Sequence, residues 1–283
     1  MVLEMLDVVD WRITSQCNCS CEFCYASENR KALSNEDIMK IAEKICAIGV
    51  RYVCVSGGEP LLCPALPEVI KYFYEHGVKV FLSTNGSLYL ERVDKIEPYI
   101  HKLSLPLDGY DAKSNTCGGR PEWAFDKVKE ILDFYASSQS DLFIKVSTVL
   151  VKGNCNKAHL DKMRALLQKY NISQWKIYEL VPEGRGADNY CELSVDYEKV
   201  VNDFIENTSE NKFKITFVPE SIRNSAYFII LSDGDVMVPA KAQNGYDEHV
   251  LGNILVDSID DLKEKWLRNA NYHNYVENLS LRK

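Results

Sequence analysis

Short β-rich runs alternate with amphipathic helical stretches through the first 181 residues, and this pattern restricts the fold more than any other. VVDWRIT (8–14), RYVCVS (51–56), VKVFLS (78–83), HKLSLPL (101–107), LFIKVSTVLV (142–151) and QWKIYELV (174–181) read as strands. Between them Ser34 and Asp37 form a capping pair ahead of an apolar face of Ile38, Ile41, Ala42 and Ile45, which Gly49 ends. Further helices are expected over 65–76, near 122–136 and near 158–170. Six β-α units in series predict an α/β fold with a parallel sheet and right-handed crossovers.

After residue 190 the pattern changes. A helix near 194–206 precedes KITFV (214–218), AYFIIL (226–231) and DVMV (235–238), with a turn at Asp233-Gly234 and a last helix near 258–268. No low-complexity linker intervenes. The expected division is therefore a main unit over 1–190 and a small α+β extension, 191–283, packed on it.

The 283 residues are 46% hydrophobic, enough for a full core. A net charge of −8 with both signs interspersed argues against broad nucleic-acid binding, though it leaves room for a small basic pocket. No apolar run approaches the ~20 residues of a membrane span. The N-terminal MVLEMLDVVDWRI has no basic region or small-residue cleavage site of a signal peptide. A cytoplasmic chain is the expectation. Its ten cysteines then read as metal ligands, reactive thiols or buried apolar groups, not a disulfide framework. Cys46 and Cys54 are expected to be buried apolar thiols.

Four of those cysteines lie in TSQCNCSCEFCYA (14–26). Cys17, Cys21 and Cys24 form a C-x3-C-x2-C array, and Cys19 falls off the spacing. Three soft thiolates on one loop suit an iron–sulfur cluster. A structural zinc site needs four ligands, and neither a second C-x2-C nor a His pair completes one. From the loop alone a partial zinc site stays open as the alternative. No cysteine follows Cys191, so a single cluster with no auxiliary one is expected.

Phe23 precedes the third cysteine, and Gly57-Gly58-Glu59-Pro60 closes the next strand. In this combination residues 8 to about 180 resemble the radical S-adenosylmethionine (radical SAM) enzymes. The resemblance implies a partial (β/α)6 TIM-like barrel with its site at the C-terminal strand ends. It also implies a [4Fe-4S] cluster on Cys17, Cys21 and Cys24 whose open iron chelates S-adenosylmethionine. One electron then cleaves the sulfonium, and the 5′-deoxyadenosyl radical abstracts a substrate hydrogen. An external low-potential donor such as flavodoxin or ferredoxin would supply the electron. By the same resemblance Gly57, Gly58 and Glu59 meet the methionine amine, Asn85 lies near the cofactor, and Arg120 holds the methionine carboxylate. Phe23 and Tyr25 flank the adenine, and Ser104 or Asp108 touches the ribose. From its own setting Asp108 also reads as a turn residue before Gly109.

FVPESIRNSAYFIILSDGDVMV (217–238), together with DWRITSQCN, SGGEP, STNGS and Trp175-Lys176, makes nearly the whole chain similar to the viperin-like nucleotide dehydratases. Lys145 and Lys176 fall on two positions that grip a nucleotide triphosphate in that family. Tyr52 stands where a lysine is expected, Gln174 where an arginine is, and Asp10 where an asparagine is. At about 1.5–3 kcal/mol for each lost charged hydrogen bond, these changes argue against a triphosphate. Arg51 is a neighbouring cation that a small register shift would bring in. By strand alternation Lys145 and Ser147 share one face of their strand, and Lys176 and Tyr178 one face of theirs. Tyr227 is a further candidate for the pocket, and so are Glu183 and Arg185.

The expected activity is that of a radical SAM oxidoreductase or lyase acting on a nucleotide, nucleoside or sugar by dehydration, dehydrogenation or rearrangement. The alternatives are a peptide-modifying maturase, whose leader-binding module would be a separate protein, and a non-enzymatic zinc or cluster protein. Against the last, GGEP, STNG and LDG at successive strand ends have no reason to occur together.

Overall fold

A computed structural model describes residues 6–26, 30–138, 140–205 and 211–282. In chain order the elements are β1 (Val8–Arg12), α1 (Asn35–Ile48), β2 (Tyr52–Ser56), α2 (Leu66–Glu75), β3 (Lys79–Ser83), α3 (Tyr89–Ile96), β4 (Lys102–Pro106) and α4 (Trp123–Ser137). β5 (Phe143–Val149), α5 (Lys157–Leu167), β6 (Gln174–Tyr178), α6 (Arg185–Asp188), α7 (Tyr190–Leu193), α8 (Tyr197–Ile205) and β7 (Lys214–Val218) follow. β8 (Ile229–Ile230), β9 (Asp235–Ala242), β10 (Gly245–Asn253), α9 (Ile259–Asn269) and α10 (Tyr272–Arg282) complete the described chain.

These strands join one sheet in the order β10-β9-β8-β1-β2-β3-β4-β5-β6-β7. β1 to β6 pair in parallel, as the β-α alternation predicts; β7, read as part of the extension, continues the sheet in parallel beyond β6, and β8 adds in parallel to β1. β9 and β10 are antiparallel. The sheet is open, with β7 and β10 at its edges, so it is the wall of a partial barrel and not a closed one. Strands from beyond residue 190 sit at both ends of it.

Side chains alternate across each strand. One face carries Trp11, Val53, Val55, Val80, Leu82, Leu103, Leu105, Val146, Trp175 and Ile177 into the core beneath the helices. Trp11 meets Phe73 of α2 edge-on at 6.1 Å, and Trp175 meets Phe204 of α8 at 5.9 Å. The other, inner face is polar. Register places Asp10 beside Cys54, Phe81 beside Lys102, Ser104 beside Lys145, and Ser147 beside Lys176.

The expected six parallel strands are all present, and the expected helices lie within a few residues of their places. Ser34 caps α1 by accepting from the Asp37 N–H, and Gly49 closes it with φ +84°. The helix read near 194–206 begins at Tyr197, and residue 206 lies outside the described residues. Only Ile229–Ile230 of AYFIIL is strand. β10 and α10 carry too weak an apolar pattern to be read: α10 buries only Tyr275 and Asn278. Among the described residues no helix is long and apolar enough to cross a membrane.

Candidate active site

The cysteine loop leaves the C-terminal end of β1 and is held there by its neighbours. The Gly58 N–H donates to the Thr14 carbonyl at 2.7 Å and the Glu59 N–H to the Gln16 carbonyl at 2.7 Å. A Cβ at Gly58 would stand 2.2 Å from the Gln16 oxygen, and one at Gly57 2.4 Å from the Thr14 oxygen. The close approach that these glycines permit is therefore that of the cysteine loop itself. Glu59 is fully buried. Its carboxylate accepts from the Leu61 N–H (3.0 Å), the Thr84 hydroxyl (2.6 Å) and the Asn85 N–H (2.6 Å), which ties the end of β2 to the end of β3. Burial still pushes its carboxyl up to about 7. Asn85 in turn donates to Asn18 Oδ1 at 2.7 Å and to the Cys19 sulfur at 3.5 Å.

The segment Cys117–Arg120 braces the other side. The Glu22 N–H donates to the Gly118 carbonyl (2.8 Å), and a Cβ on Gly118, at φ +70°, would strike the Phe23 ring at 2.3 Å. Arg120 lies over that ring at 5.1 Å and donates from Nε to Asp108 Oδ2 at 2.6 Å, both residues being buried. Asp108 Oδ1 accepts from the Val149 N–H (2.8 Å), which fixes the end of β4 against β5. The expected carboxylate-binding arginine and ribose-binding aspartate are thus paired with each other. Below them Ser104 and Ser147 share a hydroxyl contact of 3.3 Å. Gly184 to Asn189 close over the loop, with the Gly186 N–H donating to the Cys24 carbonyl and Asn189 Nδ2 to the Glu22 carbonyl.

Within the loop Cys17 is exposed, Cys21 buried and Cys24 half-buried, all as free thiols. The Cys19 thiol hydrogen-bonds the sulfurs of Cys17 and Cys21. This lowers those two to about 6 and about 7 and raises its own. Burial raises Cys24. Among the described residues no three His, Cys, Asp or Glu side chains already stand as a metal site. The donor type fits an iron–sulfur group: Cys17, Cys21 and Cys24 bring three soft thiols from one braced loop that carries no histidine.

The inner face below the loop is cationic. Lys176 is buried with no hydrogen-bond or ion-pair partner among the described residues. Burial, with Lys145 adding to it, pushes its ammonium down to about 6. Lys145 reaches Tyr178 Oη at 3.5 Å and is pushed down to about 8 by burial. Lys102 is likewise held at about 8 by burial, under the rings of Phe81 (4.8 Å) and Phe143 (4.0 Å). At the mouth, Glu183 is a buried carboxylate shared by Arg12, at 3.1 Å, and Arg223. Both guanidiniums lie over the Tyr25 ring, at 5.2 and 4.8 Å, and Arg223 also lies over Tyr227 at 5.2 Å. Arg223 Nη2 is buried without a hydrogen-bond partner among the described residues.

The structure places Asp10, Lys145, Ser147, Lys176 and Tyr227 around one inner face. Tyr52 lies lower, against Phe81 at 5.2 Å. Arg51 is no substitute cation: it points outward and pairs with Asp7. Cys54 is not an apolar core thiol. It is half-buried on the inner face, 2.8 Å from Arg282 Nη1, and burial pushes it up to about 11. The sequence reading missed Lys102, Arg223 and Arg282. Strand alternation was signal enough for Lys102, but the two arginines reach the face from segments with no strand period.

A profile of the Radical SAM superfamily matches residues 11–166. An S-adenosylmethionine-dependent nucleotide dehydratase of Fibrobacter sp. (strain UWH6) is 27% identical over 307 residues, covering 96% of this chain and 88% of that protein. A second protein so described, from Flammeovirga pacifica, is 24% identical over 262 residues and covered to 88% on both sides. The crystal structure of Streptococcus suis SuiB bound to S-adenosylmethionine superposes with a TM-score of 0.68 at 18% identity, over 90% of this chain. This chain spans 64% of the SuiB chain.

Proposed function

The chain belongs to the radical SAM superfamily, and from that premise we propose an enzyme with a single [4Fe-4S] cluster acting on a small anionic substrate of nucleotide type. Cys17, Cys21 and Cys24 would hold the cluster. When bound, the cluster and S-adenosylmethionine supply hydrogen-atom abstraction from an unactivated carbon. The chain's own residues do the rest. Glu59 and Asn85 fix the loop, and Asp108 and Arg120 brace its far side. Gly184 to Asn189 cover it and help to keep water out. Lys145 and Lys176 would orient the substrate by its anionic group.

One observation carries the substrate class. Lys145 and Lys176 are inner-face lysines without a carboxylate partner among the described residues, and an ammonium held there without a counter-charge is costly until an anion binds. Descriptions of relatives as nucleotide dehydratases support the same reading.

Anaerobic reconstitution with iron and sulfide, followed by assay of 5′-deoxyadenosine, tests it. Cys17→Ala, Cys21→Ala and Cys24→Ala should each abolish cleavage of S-adenosylmethionine, while Cys19→Ala should retain it. Nucleotide pools should accelerate cleavage, and Lys176→Met should remove that stimulation. Stimulation by peptides and by no nucleotide or sugar would replace the substrate reading with a peptide-modifying one. Retained cleavage in all three cysteine variants would remove the cluster assignment.

A further inference from the structure

Cys19 is the loop cysteine that the C-x3-C-x2-C spacing leaves over, and the fold does not turn it away from the others. It is half-buried and packs against the small apolar cluster of Cys21, Phe23, Val151 and Leu180. Its thiol hydrogen-bonds the sulfurs of Cys17 and Cys21, and its backbone N–H donates to Cys17 Sγ at 3.4 Å. Asn85 Nδ2 donates to Cys19 Sγ at 3.5 Å and to Asn18 Oδ1 at 2.7 Å. Asn18 Nδ2 in turn donates to Ser87 Oγ at 3.0 Å, and the Ser87 N–H to Asn85 Oδ1 at 2.9 Å. The turn after β3 therefore holds the Cys19 sulfur against two of the three expected ligands.

The direction of these bonds matters. Asn85 uses the Cys19 sulfur as an acceptor, which leaves the thiol hydrogen for a neighbouring sulfur. A thiolate that ligates iron has no hydrogen to give and can only accept. A donor on such a sulfur favours the more negative, reduced state of a cluster, and hydrogen bonds to the sulfurs are among the factors that set iron–sulfur potentials. Hydrogen bonds in a chain polarise one another, so the Asn85 amide strengthens what Cys19 donates.

We propose that Cys19 is a positioning residue for the cluster. It stays off the iron and donates its thiol hydrogen to Cys17 or Cys21, which raises the reduction potential of the cluster those ligands hold. This rests on the cluster assignment above.

Redox titration of the anaerobically reconstituted protein, followed by electron paramagnetic resonance without S-adenosylmethionine, tests it. Cys19→Val and Cys19→Ala both remove the donor, and the first also fills the space of the thiol. Both should take up iron and sulfide as wild type does. Their one-electron reduction constant should fall at least about threefold, which is about 28 mV at 59 mV per tenfold. Cys19→Ser keeps a donor and should stay within about twofold of wild type. A loss of packing alone would spare Cys19→Val, so an unchanged potential in that variant overturns the proposal. It is overturned equally if Cys19→Ser falls as far as Cys19→Val, or if Cys19→Val and Cys19→Ala both lose the cluster, which would make Cys19 a ligand. Iron and sulfide content separates this from the cluster assignment. If Cys17→Ala, Cys21→Ala and Cys24→Ala all keep the cluster, or wild type takes none up, the assignment fails and the proposal falls with it. A normal cluster content with an unshifted potential in Cys19→Val removes the proposal alone.

Discussion

Lys176 is buried on β6, with Lys145, Lys102 and Arg282 as its cationic neighbours and Cys54 the nearby group that opposes their effect. Asp10, the carboxylate on this face, is paired to Arg282 and does not compensate Lys176. Its ammonium therefore loses its proton near pH 6, far below an ordinary lysine. A bound anion favours the charged form, so binding takes up protons above that pH. Anion affinity is expected to be highest at or below pH 6 and to fall, by up to about tenfold per pH unit, toward pH 8, where Lys145 also discharges. Sulfate keeps its charge over this range and is the appropriate titrant. Lys176→Arg should flatten the profile. A wild-type affinity for sulfate that does not change from pH 6 to 8 would contradict the assignment of Lys176 as its ligand.

At the scale of elements, the cysteine loop has almost no regular structure and depends on the strand ends around it. The backbone pairing of Thr14 and Gln16 with Gly58 and Glu59 leaves no room for a side chain. Gly58→Ala would set its Cβ against a backbone oxygen that cannot swing aside. It is expected to cut cluster incorporation severely, read as visible absorbance per protein after reconstitution. Gly49→Ala at the end of α1 is the matched control. Its φ of +84° costs about 1–2 kcal/mol, but nothing lies within 4 Å of the added carbon, so incorporation should be normal. Equal incorporation in both variants would show that the contact between GGEP and the loop is not what shapes the site.

For the whole molecule, the sheet order is the telling feature. β7 extends the sheet beyond β6, while β8 to β10 extend it beyond β1. Glu183, just after β6, is ion-paired to Arg12 of β1 and to Arg223 ahead of β8, which joins the two ends across the mouth. Residues before and after 190 are therefore expected to unfold together. Far-ultraviolet circular dichroism and tryptophan fluorescence should give coincident urea transitions, because Trp11, Trp175 and Trp266 are buried in different parts of the core. Two separated transitions would indicate that the segment after 190 is an independent unit.

The fold of the first 181 residues was legible because burial of one strand face and one helix stripe writes a period into the sequence. Ile38, Ile41 and Ile45 point to α1 in this way, and Val53 and Val55 to β2. The cysteine array and GGEP were legible because loop spacing and glycine are local properties. β10, α10 and the short strand at Ile229 were not, since edge elements bury little and so carry little pattern. The partners of the polar residues were hidden for a different reason. The sequence sets Asp10, Lys102, Lys145 and Lys176 on one face, since strand alternation is local. Only the tertiary structure decides that Asp10 is matched by Arg282, that Asp108 is matched by Arg120, and that Lys176 has no counter-charge among the described residues. Ion pairing depends on distance in space, and α10 returns to β1 across 272 residues of chain.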